Sequence, residues 1–69
     1  GSPAWLANMS AREKEVLHGV ARGRSNKEIA RELGLAEVTI KLHLRNLFRK
    51  MNVKSRAEAA VKAVKAGLG

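Results

Sequence analysis

Three times in this chain a serine is followed three residues later by a glutamate: Ser10 and Glu13, Ser25 and Glu28, Ser55 and Glu58. In each pair the serine oxygen can accept from the backbone N–H at the third helical position. The glutamate can accept in turn from the serine's own N–H, so two donors that a helix start leaves orphaned are satisfied. Each pair opens a stretch whose apolar residues recur at helical spacing, and Gly23, Gly34 and Gly67 each follow one. Glycine takes the left-handed conformation that ends a helix without a Cβ penalty. These marks predict four helices, over about 11–22, 26–33, 37–51 and 56–66.

A length of 69 residues allows one domain with a thin core. Trp5 and Phe48 are the only aromatic residues and Pro3 the only proline, whereas a β-domain carries more β-branched and aromatic residues and more turn signals. The expected fold is all-α: a compact four-helix domain over 9–69, with 1–8 read as a tag remnant (Gly1 and Ser2) and a linker. Whether Trp5 and Leu6 fold back onto the core is left open by the sequence. There is no cysteine, and a small uncrosslinked domain suits the cytoplasm better than secretion. No apolar run is long enough to span a membrane, and no signal peptide is visible.

The net charge of +8 is unevenly placed. Lys41, Arg45, Arg49, Lys50, Lys54 and Arg56 fall within 38–56, a stretch without a single acid. A local basic field suits a polyanion such as nucleic acid, although a solvated basic face would also account for the charge alone.

The second predicted helix is short and leads to the third through Leu33-Gly34-Leu35. A turn this tight sets two helices at a steep angle, as in a helix-turn-helix. Ala30 would let the pair approach closely, and Ile29 and Ile40 would pack across the corner. At about 100° per residue, Ile40, Leu44, Leu47 and Met51 share the core face of the third helix. The opposite face holds Val38, Leu42, Arg45 and Arg49, flanked by Lys41 and Asn46. Arginine and lysine can donate to guanine O6 and N7, and an aliphatic side chain can touch a thymine methyl. Residues near the start of a recognition helix reach base edges, so Lys41, Leu42 and Arg45 are assigned to base reading.

Phosphate contacts are expected from Ser25, Asn26 and Lys27, where free N–H groups and the helix dipole attract anions. Thr39, Arg49 and Lys50 complete that set, and Lys54 and Arg56 extend the basic track; Arg56 has the alternative of pairing with a glutamate of the first helix. His43 is read as a structural residue at the edge of the core. Neither a catalytic nor a metal-binding constellation is present, and no cofactor is expected. Ala57, Ala60, Val61 and Val64 form a small-residue stripe on the fourth helix, a candidate dimer interface that also has the first helix to pack on.

These residues resemble LuxR-type (GerE) helix-turn-helix domains. The resemblance lies in Met9 to Leu17, in Gly23 to Ala30, in Thr39 to Leu44 continuing from Leu47 to Met51, and in Val53 to Ala59. It covers about 9–67. Two departures are Ala36, where a capping serine or threonine is usual, and Ala11 in place of a common proline. The resemblance implies the C-terminal output domain of a bacterial transcription regulator, closer to the response-regulator branch. It implies binding of promoter double-stranded DNA as a homodimer through the fourth helix, with RNA polymerase as a further candidate partner, and no enzymatic activity. Its base readers match Lys41, Leu42 and Arg45, and its phosphate contacts include Lys27, Thr39 and Arg49. The rival readings are a promoter-recognition domain like region four of a sigma factor, and a basic helical module that docks an acidic protein.

Overall fold

The protein, seen in a computed structural model, is described over residues 2–68, so Gly1 of the expected tag remnant lies outside the described residues. Its helices are α1 (Ala4–Ala7), α2 (Ala11–Ala21), α3 (Asn26–Leu33), α4 (Glu37–Met51) and α5 (Arg56–Lys65), with no strand among the described residues. The four predicted helices are α2 to α5. The structure adds α1, a single turn in the segment read as linker, begun by Pro3. Proline is suited to a helix start, where its missing N–H costs nothing. Trp5 and Leu6 on this turn pack against the core, and that burial is what holds so short a helix in place.

Two of the three predicted capping boxes close in full. Ser10 Oγ accepts from Glu13 N at 3.1 Å and Glu13 Oε1 from Ser10 N at 2.8 Å. The same pair of bonds joins Ser25 and Glu28. At α5 only half of the box forms: Ser55 Oγ accepts from Glu58 N, and the Glu58 carboxylate accepts instead from Lys54 N at 3.3 Å. Ala36 starts α4 with no side-chain cap, which forgoes about 1 kcal/mol.

Gly34, with φ 68°, ends α3, and the turn closes through a bond from Leu35 N to Ala30 O. Only residues 34–36 separate α3 from α4. At the far end of α4 the left-handed residue is Asn52, φ 57°, one of the few non-glycine types that tolerates this region.

The core is drawn from every long helix: Val16, Leu17 and Val20 of α2, Ile29 and Ala30 of α3, Ile40, Leu44, Leu47 and Met51 of α4, and Ala59 and Ala63 of α5. Met9 and Val53 join it from the connections. Helix α2 packs on α4 and α5, and α3 packs on α4.

Gly19 of α2 meets Ile29 of α3 at one close point. A Cβ placed on Gly19 would lie 2.7 Å from Ile29 Cγ1 and 2.9 Å from its Cδ1. Ile29 is itself fully buried, so it has no free space to retreat into. On helix propensity alone, alanine at this position would stabilise α2 by about 0.5–1 kcal/mol; here the clash decides the sign. Gly19→Ala is expected to destabilise the domain by about 1–3 kcal/mol in urea unfolding. Trimming Ile29 to valine in the same chain should recover part of that loss.

Candidate nucleic-acid interface

Helix α4 has two faces with opposite environments. Ile40, Leu44, Leu47 and Met51 are buried. On the other side Lys41, Arg45, Asn46 and Arg49 are exposed, as are Val38 at 64% and Leu42 at 55%. The division follows from the 3.6-residue period: core residues recur three and four apart, so the residues between them point outward.

Lys41, Arg45 and Arg49, the cations on the outward face of α4, are electrostatically unspent. Two arginines elsewhere are neutralised, Arg24 by Glu32 at 2.6 Å and Arg12 by Glu15 at 3.7 Å. Among the described residues, Lys27, Lys41, Arg45 and Arg49 take part in no ion pair. Beside them, the start of α3 offers further donors. The Ser25 oxygen accepts from Glu28 N, which leaves its hydroxyl proton to donate outward. The N–H groups of Asn26 and Lys27 belong to the first helical turn, where no intrahelical acceptor exists. Thr39 is half-buried near the start of α4.

Two cations expected in the basic track, Lys50 and Arg56, have tertiary partners, and so does Lys62 of α5. Lys50 Nζ donates to Glu13 Oε1 at 2.7 Å and to the Asn8 carbonyl at 3.0 Å. It ties the end of α1 and the start of α2 to the last turn of α4. Arg56 meets no glutamate: its guanidinium donates to Asn26 Oδ1 at 2.6 Å and to the Arg24 carbonyl at 2.7 Å, binding the start of α5 to the loop before α3. The Asn26 amide NH2 stays available. Lys62 Nζ donates to the Met51 carbonyl at 2.8 Å, satisfying an orphan acceptor at the end of α4. The sequence offered an internal partner for Arg56 alone, because the partners of these cations lie elsewhere in the fold.

Glu13 shows the cost and the compensation of such a tie. Its side chain is almost fully buried. Burial pushes its carboxyl up, but bonds from Lys50 and Ser10 outweigh this and hold it below the ordinary value.

His43 is half-buried at the rim of the core face. Among the described residues no three of the metal-binding types stand together, and no helix is long and apolar enough to cross a membrane. On α5 the expected stripe divides. Ala57, Val61 and Val64 are exposed and Ala60 half-buried, while Ala59 and Ala63 do the packing against the core.

An all-helical domain in which a short helix, a three-residue turn and a longer helix present an acid-free cationic face is a helix-turn-helix DNA-binding domain of the transcription-regulator class. The family model for bacterial regulatory proteins of the LuxR family matches residues 7–63, and the chain belongs to that family. It is similar to the nitrate/nitrite response regulator protein NarP of Escherichia coli strain K12, 51% identical over 53 residues, 77% of this chain and 25% of the relative. The nitrate/nitrite response regulator protein homolog of Haemophilus influenzae is 50% identical over 56 residues, 81% of this chain and 27% of the relative. The CsgBAC operon transcriptional regulatory protein of Escherichia coli strain K12 is 51% identical over 53 residues, covering 77% and 24%. The chain thus spans about a quarter of the length of these relatives.

The Glu13–Lys50 tie carries a pH signature. A carboxyl whose folded pKa lies below its unfolded value contributes fully above the unfolded value and loses that contribution as pH falls through the folded one. Stability should therefore hold above the ordinary 4.5 and decline in more acidic solution. Glu13→Gln is expected to flatten that acid decline and to lower stability at neutral pH, both read from thermal melts across a pH series.

Proposed function

We propose that this chain is the output domain of a response-regulator-type transcription regulator, binding promoter DNA in the cytoplasm by laying α4 in the major groove. Lys41 and Arg45 donate to base edges and Leu42 makes apolar contact there. Ser25, Asn26, Lys27, Thr39 and Arg49 hold the phosphates on either side and set the register. Lys50, with its ammonium on Glu13 and Asn8, is tied to the fold and has one N–H left for a phosphate. The observation that carries this reading is the outward face of α4, where Lys41, Arg45 and Arg49 stand exposed beside Val38 and Leu42 and take part in no ion pair.

One copy offers few reading residues, so affinity comes from two copies on paired half-sites, through effective concentration. The exposed face of α5 suits the contact between copies: Val61 and Val64 are 55% and 53% exposed, with Ala57 and Ala60 alongside. Half-sites bound this way lie about 10–10.5 bp apart, centre to centre. Chemistry on a substrate has no part in this reading.

Selection of bound duplexes from a random pool, with affinity followed across a salt series, tests the proposal directly. A recurring half-site with steep salt dependence supports it; retention that ignores both sequence and salt overturns it. Arg45→Ala should weaken the selected site by about 1–3 kcal/mol and relax base choice at one position, whereas equal losses on selected and random duplex would remove Arg45 from base reading. Lys27→Ala should weaken all sequences alike and make the salt slope shallower by about one unit; an unchanged slope would remove it from the phosphate contacts.

A further inference from the structure

Cations account for only part of the outward face of α4. Val38 and Leu42 are large aliphatic residues, each more than half exposed. They stand four residues apart, which makes them neighbours on a helix surface, and Lys41 and Arg45 flank them. A face shaped only to meet phosphate has no use for such a pair, because phosphate oxygens offer nothing to a methyl group. The major groove does: thymine exposes its C5-methyl there, and no other base carries an apolar group at that edge.

Resting on the reading of α4 as the groove helix, we propose that Val38 joins Leu42 as a specificity-determining residue. The two form an apolar strip that recognises thymine methyl groups. Four residues at about 1.5 Å each separate them by about 6 Å along the helix axis, close to two base-pair steps of about 3.4 Å. The strip therefore meets methyls on two nearby base pairs. Lys41 and Arg45 supply donors suited to guanine, so cations and strip divide the reading between them. A protein partner with an apolar patch is the other conceivable occupant. The bordering cations, free of acids, make a polyanion the better complement.

A buried methyl is worth about a three- to fivefold change in Kd. The test uses duplexes selected by the 69-residue chain from a random pool. Each is resynthesised with deoxyuridine replacing one thymidine at a time, which removes the methyl and leaves the hydrogen-bonding edge unchanged. Two positions per half-site should then bind about three- to fivefold more weakly. Val38→Ser should bind the thymidine and deoxyuridine forms equally at one of these positions, and Leu42→Ser at the other. If the unsubstituted chain binds every deoxyuridine duplex as tightly as its parent while sequence-selective, salt-dependent binding persists, the methyl strip is wrong and the groove helix stands. If no duplex is held at low salt, both fall. A selected half-site without recurring thymine also overturns the strip.

Discussion

The seating of Ile29 directly over Gly19 is the contact that fixes where α3 meets α2. With no Cβ in the way, the Ile29 side chain of α3 seats on α2. Because only three residues separate α3 from α4, fixing one helix constrains the other. The buried stripe from Ile40 to Met51 then holds α4 against α2 and α3. A cationic face is useful only if it is held at a constant angle, and here that angle derives from apolar contacts on the reverse side of the same helix.

Charge is distributed with the same economy. Three basic side chains with tertiary partners act as cross-links: Lys50 between α4 and the α1–α2 junction, Arg56 between α5 and the loop before α3, Lys62 between α5 and the end of α4. Each carries a proton donor to an acceptor that burial or a helix end would otherwise leave unmatched. The cations of the outward α4 face have no such internal duty. A chain of this size, without a disulfide, thus uses part of its positive charge to close the fold and leaves the rest to face outward.

Much of this was legible in the residues because it is local. Capping pairs, closing glycines and the 3.6-residue period marked α2 to α5 within a residue or two, and the two faces of α4 follow from the same period. What was not legible depends on contacts across the fold. Ala30 was the expected point of close approach, and it is buried, but the steric limit lies at Gly19, whose role needs a neighbour ten residues away. Helix α1 lacks the length for a periodic signal and exists through the burial of Trp5 and Leu6. The partners of Lys50 and Arg56 lie 37 and 30 residues distant, beyond any spacing rule. On α5 it is Ala59 and Ala63 that are fully buried, with Ala60 of the small-residue stripe half-buried beside them; several small residues on α5 leave its inward side ambiguous in sequence.

The separation of the two faces of α4 has an evolutionary consequence. Replacing Val38, Leu42 or Arg45 disturbs little of the packing that holds the domain together, and exposed substitutions of this kind alter stability by only about half a kcal/mol. If the outward face reads operators as proposed, its residues can change while the scaffold behind them is inherited unchanged.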